Sequence, residues 1–487
     1  MSTYVGIDLG TTATKAVIID AEGTVVARAR VPHPACRDAD AGREDPDGWR
    51  TSIAAALCAL GGALSEVKGV GIDVHCPVAV PLGADGRAVG LGVTWDNKAL
   101  RYYFNKYSDN RSAEAVAATG NHPSQSTYIA VAHPYLRDHD PEAFAEMTTF
   151  GLAGTWLGAL LTGKTALDPT QASYTGIYDT IHPENGWIAE SAEALGIPVG
   201  QLPAVRGPLE VLGAVTREAA DAFGLPCGIP VTVGSADTPA ASYSLGTRPG
   251  SRPFFIIGTT HVINSCLSAP DLRARALQRC GNRPGEWLIN GVTNGGDSLA
   301  AGAVISGYGS GGAAVGRMIE DAFSIERDRA IVSPYFIPHV MRERGPLWLE
   351  SACGELVEVT RGTTHVETAR GIVDGVLLVD RMVLNSCVAP GSGSIYLTGA
   401  FGRNECFPQM LADVLGAELD LVDESDLPAI GAAGMCAELA EGAALAPIAS
   451  RHLSPRPEWV EVNDARWDVF RTIWQKRTGM ELIPELG

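Results

Sequence analysis

The residues of this chain best suited to chemistry are two copies of one tripeptide, each set between strand-like runs. Gly10-Thr11-Thr12 follows Val5-Gly6-Ile7-Asp8-Leu9 and leads into Ala16-Val17-Ile18-Ile19. Gly258-Thr259-Thr260 follows Phe254-Phe255-Ile256-Ile257 and leads into Val262-Ile263-Asn264-Ser265-Cys266. Strand, turn and returning strand make a hairpin whose tip offers hydroxyls and backbone N–H groups, donors suited to an anion such as phosphate. Two such tips on duplicated halves are expected to hold a polyphosphate between them. Charge breaks the symmetry, because Asp8 stands two residues before the first turn where Ile256 stands before the second. In Asp8-x-Gly10-Thr11-Thr12-x-x-Lys15 the carboxylate can hold Mg²⁺ through water, and Lys15 can reach a terminal phosphate. Strand rather than helix residues follow the turn, so it is not a dinucleotide-binding loop.

Asp237 is the candidate general base. It ends Gly234-Ser235-Ala236-Asp237, a tight loop expected after a strand over 229–233 and before a helix capped by Thr238 and Pro239. With Thr238 as the cap, Asp237 is left free to enter a cleft. The helix N-terminus stabilises its anion, so it rests as a weak base. That suits phosphoryl transfer, in which the hydroxyl turns acidic only as the bond to phosphorus forms. Gly399-Ala400-Phe401-Gly402-Arg403-Asn404 is a strand-to-helix loop whose glycines allow close backbone approach to a flat ring or sugar, and Gly295-Gly296-Asp297 reads likewise. His122, His133 and His261 read as core or loop residues, whereas His75 stands at the C-terminal end of a strand.

Two α/β units must carry these groups. A β-meander is expected over 4–9, 15–20 and 25–30, then a helix over 47–60 and strands over 67–74 and 78–82. Residues 112–200 read as an irregular insertion of helix and loop, a place to build a substrate pocket. The run Arg248-Pro249-Gly250-Ser251-Arg252-Pro253 reads as a hinge. Trp467, Phe470 and Trp474, at spacings of 3 and 4, read as the packed face of a helix. A length of 487 residues points to two domains, 1–246 and 247–487. Apolar content of 46% and charged content of 19% suit a packed globular chain. A net charge of −19 and a pI near 5.0 argue against nucleic acid and anionic membrane as partners. The ten scattered cysteines read as reduced thiols, and no leader or spanning run is visible, so a cytoplasmic location is expected.

Together these segments resemble the FGGY family of carbohydrate kinases along nearly the whole chain. The opening Asp8–Lys15 segment is similar to that family's first phosphate segment, and Gly234-Ser235-Ala236-Asp237 to its segment ending in the catalytic aspartate. Gly258-Thr259-Thr260 resembles the second phosphate segment, residues 399–404 the adenosine segment, and residues 369–376 the helix before it. The resemblance implies an α/β protein of two actin-like, ribonuclease-H-type domains closing on Mg-ATP, with the sugar bound mainly by the first. It implies Asp237 as base and Asp8 as the Mg²⁺ anchor. Gly10, Thr11, Thr12, Lys15, Gly258, Thr259 and Thr260 would hold phosphates, and Gly399, Ala400 and Asn404 the adenosine. His75, Cys76, Trp95, Asp96 and Asp237 would contact the sugar.

Where the sugar is read, His75-Cys76-Pro77-Val78 matches neither the Gln-Met-His-Gly of xylulose kinases nor the Arg-Glu of glycerol kinases, and Trp95-Asp96-Asn97 exchanges the two polar residues of the Trp-Asn-Asp segment. The expected activity is ATP-dependent phosphorylation of a small sugar (a ketose such as xylulose first), polyol or sugar acid. The alternatives are an actin-like ATPase of chaperone or filament type and a sugar-binding pseudo-kinase. The oligomeric state, a homodimer among the options, stays open.

Overall fold

The structure, a computed structural model, describes residues 2–36, 41–108, 111–273, 275–399, 405–446 and 448–486. Its first sheet is built on the expected meander: β1 (Thr3–Leu9), β2 (Ala13–Asp20) and β3 (Val25–Pro32) run antiparallel. β4 (Val67–Val74) then lies parallel to β1, and β5 (Val211–Ala214) and β6 (Pro230–Thr232) complete the order β3-β2-β1-β4-β6-β5. A two-residue strand, β7 (Ser235–Ala236), pairs with the end of β4.

The second half repeats the plan. β8 (Phe254–Ile257) and β9 (His261–Leu267) form the second hairpin, with β10 (Leu277–Cys280) and β11 (Trp287–Thr293) continuing antiparallel. β12 (Ile395–Gly399) lies parallel to β8, then come β13 (Leu419–Leu421) and β14 (Arg451–Leu453), in the order β10-β11-β9-β8-β12-β13-β14. Both sheets therefore contain one motif, a hairpin extended by a further antiparallel strand, whose first strand also pairs with a later parallel strand.

Strand alternation divides the first sheet's faces. Val5, Ile7, Leu9, Ala16 and Ile18 pack on the side of α1 (Pro46–Ala59), which begins at an Asp45 cap with Pro46 in its first turn. Tyr4, Val17 and Ile19 face the other way, onto Ala429, Ile430, Ala433 and Cys436. Those four residues belong to a helix from the far end of the chain. Helix α2 (Asp237–Ser244) leads out of the first half, α3 (Gly295–Ile305) and α4 (His365–Cys387) cover the second sheet, and α5 (Leu427–Glu441) returns to lie beneath the first.

That return needs bare strands. The sequence Val-Gly-Ile-Asp occurs at 5–8 and again at 70–73, and the two copies pair in register across β1 and β4. A Cβ on Gly6 would lie 1.9 Å from the Ala429 carbonyl oxygen, and one on Gly71 would lie 1.8 Å from that of Ala432.

The last helix, α6 (Pro457–Thr478), buries Phe470 and Trp474 and half-buries Trp467, so the aromatic stripe is core as expected. The Trp474 indole donates to His339 Nε2 at 2.8 Å. The insertion is mainly helical, but Thr149–Leu152 forms a strand that the sequence reading took as helix or loop. Its partner is Val78–Leu82, remote in sequence, so no local period marked it.

Replacing Gly71 with Ala is expected to push α5 off the sheet and destabilise the protein by about 3 kcal/mol, in the upper range for overpacking. Chemical denaturation of the variant beside wild type checks this.

Candidate active site

Gly6 and Gly71 seat the helix, and two residues further along the same strand face stand Asp8 and Asp73. The pair is in register on adjacent parallel strands, and both side chains are buried. Two carboxylates this close in a low-dielectric setting cannot both ionise readily. Burial, then the charges of Asp8 and Asp237, push Asp73 well above the usual carboxylate range. Burial also pushes Asp8 up to about 6; Lys15 opposes it and Asp237 adds to it. The consistent arrangement has Asp73 keeping its proton beside the Asp8 carboxylate.

Lys15 lies directly across the hairpin from Asp8, with Nζ 3.6 Å from Oδ2. It also reaches the other half of the chain, lying 3.5 Å from Asp426 Oδ1 and donating to the Ser425 carbonyl at 3.1 Å. Asp426 immediately precedes α5, so the helix that packs under the sheet also brings a carboxylate to the expected phosphate lysine.

The first turn closes through Gly10 N–H donating to the Ala13 carbonyl at 3.1 Å, and the His33 imidazole donates to the Gly10 carbonyl at 2.7 Å. The second closes through Gly258 N–H and the Thr260 carbonyl at 3.0 Å, with Asp297 N–H of α3 bound to the Thr259 carbonyl at 3.1 Å. Thr11, Thr12 and Thr259 are exposed, and Thr260 is half-buried. Gly399 pairs with Ile257 beside the second turn and has a φ of +104°, a conformation that favours glycine. The other residues expected at the adenosine, Ala400 and Asn404, lie outside the described residues.

Asp237 is the first residue of α2, not a loop residue ahead of it. Thr238, expected as the cap, sits inside the first turn, and its N–H donates to Asp237 Oδ1 at 2.6 Å. A proline early in a helix loses no hydrogen bond, so Pro239 does not force a later start. The Thr170 hydroxyl accepts from Ala236 N–H at 2.9 Å and holds the peptide just before Asp237. Asp168 in turn accepts from the Thr170 and Gln171 N–H groups.

His75 has both ring nitrogens occupied by protein, donating from Nδ1 to the Leu9 carbonyl and from Nε2 to Glu44, each at 2.8 Å. Burial acts against its charge, but Glu44 outweighs it and the pKa is raised. Cys76 is half-buried, and burial pushes its thiol up. The half-buried Trp95 gives its carbonyl to Gln125 at 2.8 Å, while the exposed Asp96 accepts from the Thr94 hydroxyl.

Sequence reasoning missed Asp73 and Asp426, and also Arg279, whose Cζ lies 3.9 Å from the Tyr174 ring centroid, and Arg344, whose Cζ lies 5.8 Å from that of Trp95. The repeated Val-Gly-Ile-Asp was a signal for Asp73. Asp426, Tyr174 and the two arginines are brought in by tertiary contact alone.

Two family models match the chain: the N-terminal domain of the FGGY family of carbohydrate kinases over residues 3–244 and its C-terminal domain over 255–440. The xylulose kinase of Escherichia coli is 26% identical over 498 residues, covering 97% of this chain and 99% of that protein. Among solved structures, xylulose kinase from Rhodospirillum rubrum matches with a TM-score of 0.85 at 23% identity, covering 97% of this chain and 98% of that one. Gluconate kinase from Lactobacillus acidophilus matches with a TM-score of 0.86 at 18% identity, covering 99% of each. The fold is thus a pair of actin-like, ribonuclease-H-type domains. The chain belongs to the FGGY family of carbohydrate kinases and is an ATP-dependent sugar kinase.

A carboxyl whose folded-state pKa is raised binds its proton more tightly when folded, so stability falls as pH rises from the ordinary carboxylate range to about 6. Asp8→Asn is therefore expected to stabilise the protein at alkaline pH by on the order of 3 kcal/mol, the net upward shift at about 1.4 kcal/mol per pKa unit, the attraction of Lys15 being already contained in it. Denaturant midpoints measured across the acidic to neutral range should also flatten in the variant.

Proposed function

We propose that this kinase moves the γ-phosphoryl group of ATP to a hydroxyl of a small sugar, polyol or sugar acid, with Asp237 accepting the hydroxyl proton. The observation that carries the assignment is that Asp237, at the head of α2, lies within electrostatic reach of Asp8 at the first phosphate turn. The acceptor oxygen forms its bond to the γ-phosphorus as the bond from phosphorus to the ADP oxygen breaks. The proton passes to Asp237 late, when the hydroxyl has become acidic.

The exposed hydroxyls at Thr11, Thr12 and Thr259, the N–H groups of both turns and Lys15 bind the phosphates. Gly399 opens the adenosine site. Asp8, buried and raised in pKa beside the uncompensated Asp73 carboxyl, is a donor set that a divalent cation would relieve. Mg²⁺ held there through water would neutralise charge on the phosphates. We place the domain boundary at 246/247, within the link that follows α2. The E. coli relative is named a xylulose kinase, which makes ketoses the first neutral acceptors to compare. Among the described residues no helix is long and apolar enough to cross a membrane, in keeping with a cytoplasmic site of action.

Asp237→Asn is expected to keep Mg-ATP affinity and to lower kcat by about 10²–10⁴-fold, the contribution of a positioned base. Nucleotide titration calorimetry and coupled ADP release, run on the same preparation, measure both. Turnover at the wild-type rate would remove Asp237 from the role.

A further inference from the structure

Beyond the phosphate turns, the face of the second half that meets the first presents two guanidinium groups. Arg279 lies on β10 and is only 5% exposed. Its Cζ stands 3.9 Å from the centroid of the buried Tyr174 ring, and the Asp237 carboxylate lies within its electrostatic reach. Its Nε and Nη1 are buried without a hydrogen-bond acceptor. Arg344, on the loop after His339, is half-buried with Cζ 5.8 Å from the Trp95 ring, and it too is within electrostatic reach of Tyr174. The acid next to it, Glu343, is already bound to His339 at 3.1 Å and to the Asn294 side chain at 2.8 Å. Among the described residues neither arginine forms an ion pair.

A buried cation without a counter-ion is costly, and proteins keep such groups paired. The hydroxyls of a neutral sugar could accept from the idle donors, but they would add no charge to the unbridged attraction of Asp237 for Arg279 and of Glu343 for Arg344. A carboxylate satisfies both needs, through short charge-assisted hydrogen bonds. Asp237 lies within electrostatic reach of both Asp8 and Arg279. A hydroxyl at Asp237 and an anionic group at Arg279 can therefore belong to one small acceptor.

Resting on the kinase reading above, we propose that the acceptor is a sugar acid whose carboxylate pairs with Arg279 and Arg344 while one of its hydroxyls meets Asp237. Tyr174 and Trp95 flank that carboxylate as the aromatic faces on which the guanidiniums lie. Arg279 is then a specificity-determining residue contributed by the second half of the chain.

The test is ADP release by the full chain with Mg-ATP against matched acceptors: aldonates and uronates, the neutral aldoses, ketoses and alditols of the same length, and sugar monophosphates. The best sugar acid is expected to exceed its neutral counterpart in kcat/KM by about 10²-fold or more, the scale of losing a charged partner at a buried site. Arg279→Met, which keeps the length of the stem, should bring that ratio toward one while Mg-ATP affinity stays at the wild-type value. Preference for a neutral ketose or polyol over every acid overturns the inference and leaves the kinase reading standing. Preference for sugar monophosphates overturns the carboxylate. Equal losses for acids and neutral sugars in the Arg279 variant would assign the guanidinium to the phosphoryl group and also overturn it. A protein that binds Mg-ATP yet phosphorylates no acceptor would refute the kinase reading instead. The wild-type comparison decides between acid and neutral acceptors even if the variant fails to fold.

Discussion

The two halves of this kinase are joined by a helix laid on naked backbone. The carbonyl groups of Ala429 and Ala432 occupy the space that side chains on Gly6 and Gly71 would need, and Gly431 approaches Ala240 of α2 as closely. Contacts of this kind gain dispersion energy only at short range and tolerate no added methyl. The same short sequence, Val-Gly-Ile-Asp, supplies both a seat for the helix and, one step along the same strand face, an acid. The position of Asp8 and Asp73 relative to the second half is therefore set by the packing that joins the halves. Any slippage of α5 would also move Asp426, and with it the partner of Lys15.

Charge is handled in two different ways around this joint. On the first sheet, acids are crowded together and burial raises their proton affinity, so the folded chain stores repulsion there. On the facing surface of the second half, the buried Arg279 and half-buried Arg344 make no ion pair among the described residues. In a protein of net charge −19 this is a local reversal of sign, of the sort an anionic ligand requires. Stability is given up on both sides of the cleft, as is common where polar groups are arranged for ligands rather than for the fold alone.

Much of the fold was visible in the chain because the apolar runs flanking each Gly-Thr-Thr are short, continuous and bounded by turn residues. The hairpins, β4 and the aromatic stripe of α6 all stand where those runs place them. Asp237 was identified at a strand end, yet the start of its helix was misjudged because the strong capping types at Thr238 and Pro239 outweighed the β7 pairing that ends at Ala236. Asp73 escaped notice since one acid in a strand reads as an edge residue until the neighbouring strand is known. Tyr174 and Arg279 lie far apart in sequence, on an insertion and on a sheet edge, and no spacing rule links them. Their meeting follows from where β10 docks.

That docking has a cost outside catalysis. β10 is the outer strand of its sheet, and its free edge is covered by the first half: Asn121 exchanges hydrogen bonds with the Gln278 backbone at 2.9 Å, and Ser173 accepts from Cys280 N–H at 3.0 Å. The Trp287 indole on the adjoining strand donates to the Thr180 carbonyl at 2.7 Å. Any separation of the two halves strips this edge bare, and an unpaired strand edge is a template for pairing with another chain. The time the halves spend apart thus sets how long the molecule is exposed to self-association. A ligand that bridges them acts as a solubility factor as well as a substrate.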